Sequence, residues 1–428
     1  MKKVLALLIA TFLLSMGAVM LTACGGDGSI GGGQSNVEVL EYELNADQES
    51  YSVVDIGSVT SGDVVIPETY NDLPVTSISA NAFKEESSLK TVVIPSSVTN
   101  IGEYAFKGCY NMTSVMLPNG LTSIEAHVFD NCSKLTSIEI PASVTSIGEY
   151  AFYMGMELSS VTFAENSLLT TIGNNAFSGC RWIESIEIPS GVTSIGKYAF
   201  SECLSLTNIE IPSGVTSIGD YAFDKTLQCN EKNGLKYLGN SSNKYLYLIG
   251  VVSQNISEVK VDENCKFIGA GVFSACYSLV SVEIPSGVIS IGASAFKGCS
   301  LLKNVVIPNT VTRLGSFAFE SCYELKSVTL SNSLMAIEEN TFDGCFLLAD
   351  ITIPESVKSI GDYAFKSCDA LTSIVIPKSV TSVGYRVFEA CYSLKIYCEA
   401  ESKPESWDDA WNYLSNRGNC QVTWGYNA

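Results

Sequence analysis

Thirteen phenylalanines recur along the chain at a nearly constant spacing: Phe83, Phe106, Phe129, Phe152, Phe177, Phe200, Phe223, Phe273, Phe296, Phe319, Phe342, Phe365 and Phe388. Ten of the twelve intervals are 23 residues, one is 25 and one is 50. A single globular core has no reason to ask for one bulky residue at a fixed period. A stack of similar coils does, because each coil must place the same side chain in the same internal slot. The repeat therefore predicts a solenoid, and it puts function on a surface, away from any catalytic pocket.

One unit, read from Leu135 to Phe152, is L-x-x-I-x-I-P-x-x-V-x-x-I-G-x-x-A-F, and in ten copies a cysteine follows the phenylalanine by three residues. Ile138 and Ile140 alternate with Ser137 and Glu139, the period-2 signature of a half-buried strand. Pro141 ends that strand, since it has no N–H to give to a ladder. Val144 and Ile147 point back to the core, Gly148 is read as permitting a turn, and Phe152 fills the far side of the coil beside Ala151.

This pattern resembles the BspA-type leucine-rich repeat family of bacterial and protist surface proteins, over about Val37 to Ala428. The resemblance implies a β-rich, α/β-type solenoid: a right-handed superhelix of about 13 coils. In it, one strand per coil forms a parallel sheet on the concave side, and turns and short helical pieces lie opposite. It also implies adhesion, to host matrix proteins or to other microbes.

The chain begins with Lys2 and Lys3, an apolar stretch from Val4 to Met20, and Leu21-Thr22-Ala23-Cys24. Residues 1–23 read as an export signal. The last four residues resemble the lipobox of bacterial lipoproteins, which implies cleavage before Cys24 and lipidation of its sulfur; an ordinary secretory signal with an incidental cysteine is the alternative. Such an anchor tethers a protein without spanning the bilayer, so localisation is expected at the bacterial envelope, facing outward. Residues 24–36 form a Gly/Ser-rich leash. The further divisions are an N-terminal cap at 37–74, repeats at 75–226 and 263–395, an insert at 227–262 and a C-terminal cap at 396–428.

The formal net charge is −20, and −22 once the leader's two lysines are gone. Both nucleic acid and an anionic membrane surface demand a basic footprint, so neither is expected as a partner. A monomer is expected. The 50-residue interval contains Leu235 to Gly239 and Tyr245 to Gly250 flanked by turn signals, which predicts a β-hairpin. Either it merely replaces a regular coil, or it protrudes and offers Tyr237, Tyr245 and Tyr247 to a ligand. In the C-terminal cap a short helix is expected near residues 406–415, with Trp407, Trp411 and Trp424 covering the open end.

Ten cysteines fall in one column of the repeat, from Cys109 to Cys391. Neighbours in it stand about 4.8 Å apart with parallel Cβ vectors, whereas a disulfide needs converging Cβ atoms at about 3.5–4.5 Å. Buried free thiols are expected, with Cys398/Cys420 and Cys229/Cys265 left open as possible bridges. No metal-ligand spacing occurs, no cofactor motif is present, and His127, the only histidine, varies a column otherwise held by tyrosines such as Tyr104 and Tyr150. No enzyme is expected, a glycan-active one being a distant third reading. The candidate site is the outward strand row, with Glu139, Glu187, Glu210 and Glu283 as candidate ligand contacts among Ser and Thr. It suits an extracellular protein (a basic segment) or a glycan; the alternative role is an architectural envelope scaffold with no host ligand.

Overall fold

The structure is a computed structural model that describes residues 40–427, apart from Thr60, Ser61, Leu227, Asn416 and Arg417. Cys24, the leader and the leash lie outside the described residues.

Each coil carries two short strands, not one. In the coil read above they are Ser137–Ile140 and Ser146–Ile147. The first pairs parallel and in register with Ser160–Phe163, so that Ser137 lies over Ser160, Ile138 over Val161 and Glu139 over Thr162. The second pairs parallel with Ser123–Ile124 below and Thr171–Ile172 above. Two parallel sheets thus run along the stack, a first sheet of the longer strands and a second sheet of two-residue strands. With the terminal and inserted segments the solenoid has about 16 turns.

The side expected to carry helical pieces has none among the described residues. Alternate amides of its backbone are hydrogen-bonded to the next coil, and those between them close i→i−3 turns: the N–H groups of Tyr104, Phe106 and Gly108 donate to the carbonyls of Ala126, Val128 and Asp130 at 3.2, 3.0 and 2.8 Å, while those of Lys107 and Cys109 donate to Tyr104 and Phe106 at 3.0 and 3.2 Å. A segment whose alternate amides serve a neighbouring coil has none to spare for the i→i−4 bonds of a helix. The helix expected at residues 406–415 is not formed either, the amides of Trp407, Trp411 and Tyr413 closing separate i→i−3 turns. There the chain turns, with Asp408 N–H donating to Val383 O at 2.8 Å, and with Trp407 and Trp411 buried over Phe388 at the end of the stack.

The phenylalanines fill the core face to face. Phe83 and Phe106 have ring centroids 5.0 Å apart, Phe106 and Phe129 5.5 Å, and Phe296 and Phe319 5.1 Å with planes 1° apart. Coil spacing imposes this distance, which lies close to the separation of paired strands (about 4.8 Å). Coil contact also explains Gly148. A Cβ there would stand 2.6 Å from Ala126 N, so the residue is glycine because two coils touch, not because a turn needs its freedom.

The insert does not protrude. Asn230–Lys232, Leu235–Leu238 and Tyr247–Val251 form an antiparallel meander, and Tyr247–Val251 then pairs parallel with Phe267–Ile268 in the second sheet. Tyr237 and Tyr247 are buried, and the Tyr237 hydroxyl accepts the N–H of Asp262 at 3.1 Å. Tyr245 is half-buried, edge-on to Tyr237 and beneath the Lys232 ammonium. The reading that offered Tyr237 and Tyr247 to a ligand is corrected, since both are buried packing residues. At the N-terminus Glu41–Leu44 and Tyr51–Asp55 pair antiparallel, and Asp63–Val65 already starts the first sheet against Thr91–Val93.

A Cβ at Gly315 would meet Ala293 N at 2.4 Å, whereas the nearest atom to one at Gly214 is 3.5 Å away. Gly315→Ala is therefore expected to cost about 1–3 kcal/mol in denaturant unfolding, and Gly214→Ala to stay within about 0.5 kcal/mol of wild type.

Candidate binding surface

Pairing in register lines up the outward residues of the first sheet. Glu139 stands between buried Ile138 and Ile140, Glu187 between Ile186 and Ile188, and Glu210 between Ile209 and Ile211. All three carboxylates are exposed, and none has an ion-pair partner among the described residues. Glu283 differs. Lys260 pairs with it across the strands Glu258–Lys260 and Ser281–Glu283, and its ammonium reaches the carboxylate at 3.0 Å. Lys260 was not picked out from the sequence because its coil is degenerate, and only the strand register shows which row it joins. The carboxylate row is thus unpaired before the insert and neutralised just after it.

Hydroxyls one residue before the outward row of Ser114 and Ser160 are occupied by the fold itself. The hydroxyls of Thr113 and Ser159 donate to the carbonyls of Lys90 and Thr136 in the coil before, at 3.2 and 3.3 Å. Beside the first sheet runs a row that sequence reasoning missed. Tyr110, Met156, Trp182 and Leu204 are exposed, as are Tyr277, Leu301, Tyr323 and Phe346 after the insert. Each lies one or two residues past the cysteine position, and Tyr323 stacks on Phe346 at 5.2 Å. Recurrent Cys-Tyr pairs were the available signal. Trp182, 63% exposed, sits in the turn that leads into the strand ending beside Glu187.

His127 is stacked between Tyr104 and Tyr150, at 4.6 and 4.7 Å, and its Nδ1 is bonded to Asp130, which also takes Lys107 at 2.8 Å. That geometry is a column contact and assembles no nucleophile beside it. Among the described residues no group of three His, Cys, Asp or Glu side chains is placed to hold a metal, and no helix is long and apolar enough to cross a membrane.

Six copies of the BspA type leucine rich repeat region match this chain, over residues 76–181, 170–299 and 266–395. These segments together span three quarters of the sequence. The chain belongs to the BspA-type leucine-rich repeat family. Members are generally surface or extracellular proteins of bacteria, and typically non-enzymatic. Solved structures similar to it include a leucine-rich repeat protein from Bacteroides ovatus, 26% identical over 87% of this chain and 89% of that one, with a TM-score of 0.38. A leucine rich cell surface protein from Faecalibacterium prausnitzii is 24% identical over 92% and 99%, with a TM-score of 0.38. The pneumococcal vaccine antigen PcpA is 22% identical over 91% and 97%, with a TM-score of 0.41. No curated protein matches significantly.

In this BspA-type stack the cysteine column is more than small apolar filling. Every column thiol except Cys276, whose preceding coil has no repeat phenylalanine, reaches back to the phenylalanine carbonyl of the preceding coil: Cys109 to Phe83 at 3.0 Å, Cys132 to Phe106 at 3.1 Å, Cys322 to Phe296 at 3.1 Å and Cys391 to Phe365 at 2.9 Å. That carbonyl already accepts an amide of its own coil, as Phe106 O does from Cys109 N at 3.2 Å, and the weak S–H donor occupies its second lone pair. All described cysteines are free, including Cys398, Cys420, Cys265 and Cys229; of these four only Cys229 is not buried.

Burial pushes the Cys109 and Cys203 thiols up from 9.0 to about 12, and Cys180 and Cys322 well above the ordinary value. The folded state therefore holds these protons more tightly than the unfolded chain does. Stability is full below about pH 9 and falls as pH rises from 9 toward 12. Melting temperature measured across that range is expected to drop steeply, with the thiols reacting only as the chain unfolds.

Proposed function

We propose that this protein is a lipid-anchored adhesin of the bacterial surface that docks a basic protein segment on the first sheet. The observation that carries the reading is the run of exposed, unpaired carboxylates Glu139, Glu187 and Glu210, flanked by the exposed apolar side chains of Met156, Trp182 and Leu204. Carboxylates held by a rigid sheet attract and orient a cationic partner. A large exposed aromatic at the border supplies the desolvated contact that gives such a complex its lifetime. The anchor rests on Leu21-Thr22-Ala23-Cys24 and on the family's usual place at the cell surface. No catalytic role is proposed, in keeping with a family whose members are typically non-enzymatic.

The test is binding of the purified protein to a panel of host matrix proteins and bacterial cells, repeated with Glu139→Gln, Glu187→Gln and Glu210→Gln combined. The triple variant is expected to bind its ligand about tenfold or more weakly at low salt, the difference fading near 1 M salt where charges are screened within about 3 Å. Trp182→Ala is expected to cost about 2 kcal/mol of binding and to leave the melting temperature unchanged. Unchanged binding of the triple variant at low salt contradicts the reading, and binding to no protein on the panel favours the architectural role.

A further inference from the structure

The long interval also divides the second sheet. Strands from Ser123–Ile124 to Ser217–Ile218 form one hydrogen-bonded run, and Tyr247–Val251, Phe267–Ile268, Ser290–Ile291 and Arg313–Leu314 belong to another. Across the break Asp220 takes two donors from the far run. Its Oδ1 accepts the N–H of Ala293 at 2.9 Å, and its Oδ2 is paired with the Arg313 guanidinium. Both contacts skip the coil of Phe267–Ile268, so the two runs approach each other here and bound a cleft of about 390 Å³. That volume lies at the lower end of the range for small-ligand sites, about 300–1,000 Å³.

The lining is unlike the rest of the surface. The chain has 45 acidic against 25 basic residues, yet the cleft contains Lys197 and Arg313 and no carboxylate. Lys197 is exposed, with no ion-pair partner among the described residues. Arg313 is held in place through one terminal nitrogen on Asp220, itself buried. The hydroxyls of Ser194, Ser217 and Ser290 also line the cleft and have no hydrogen-bond partner among the described residues, and half-buried Ile289 adds an apolar wall.

We propose that this cleft binds an acidic saccharide unit, a sugar carrying a carboxylate or a sulfate. Lys197, which has no ion-pair partner among the described residues, and the Arg313 donors left over from its single contact with Asp220 call for an anion, and a guanidinium fixed in orientation offers a planar fork suited to oxyanions. Free hydroxyls in the same lining match a polyol. The isoleucine wall suits the apolar face of a sugar ring. The site is separate from the carboxylate row and from the protein-docking reading.

The full chain is titrated calorimetrically with an oligogalacturonate, a sulfated galactose oligosaccharide, a neutral cello-oligosaccharide and a polyglutamate peptide. At least one acidic saccharide is expected to bind about tenfold or more tightly than the neutral one; the uronate arm assigns the carboxylate and the sulfated arm the sulfate. Lys197→Gln is expected to weaken that binding about tenfold with an unchanged melting temperature, since one lost charge contact is worth roughly 1.4 kcal/mol. Arg313→Lys, which keeps the charge beside Asp220, is expected to weaken it through loss of the fork. The combined glutamate variant is expected to bind the saccharide like wild type, which separates this site from the first sheet. Equal binding of neutral and acidic sugars, equal binding of polyglutamate, no binding of either acidic sugar, or no effect of Lys197→Gln overturns the proposal.

Discussion

The rest of the structure depends on coil-to-coil registration at the spacing of paired strands. Once one coil lies directly over another, every side chain has its own counterpart as neighbour, and the residue types follow from that. Phenylalanine serves because identical flat rings stack at about 5 Å, as Phe296 does on Phe319. Glycine is required where backbones touch. Cysteine is small enough for an interior column and still carries a weak donor for the carbonyl that each turn leaves half-satisfied. The residues that vary are those that no neighbouring coil constrains, the outward rows of the first sheet and its apolar border.

Where registration is interrupted, the structure substitutes other contacts. The phenylalanine stack stops at Phe223 and is continued by Tyr247 and Phe267, which meet edge to face at 5.8 and 6.4 Å. The hydrophobic core separates into two clusters at this place, and the insert contributes to both. Leu238, Leu246 and Tyr247 pack with the N-terminal cluster, while Leu235, Tyr237 and Leu248 pack with the C-terminal one. The meander is therefore the joint between two stacks. Its cost in regularity is the broken second sheet, bridged by Asp220 to Ala293 and Arg313.

The solenoid, the strand phase, the proline stop and the free-thiol column were legible in the sequence because each is written as a position within the period. Glu139, Glu187 and Glu210 were legible for the same reason, by alternation with buried isoleucines. The second sheet was not, since a two-residue strand such as Ser146–Ile147 is too short to show a period of two. The missing helices depend on bonds between coils that local sequence does not express. Lys260 could be placed only once the path of the insert was known. The burial of Tyr237 and Tyr247 followed from where the meander docks, and aromatic strands flanked by turns read alike whether they pack inward or project.

The central claim is that the insert is an internal joint of one continuous stack. Residue-resolved hydrogen exchange tests it most directly, because protection reports which segments open together. The amides of Leu235–Leu238 and Tyr247–Val251 are expected to exchange as slowly as those of Phe106 and Phe319 in the regular coils. Fast exchange throughout the insert, with the flanking coils still protected, contradicts the account and restores a projecting hairpin.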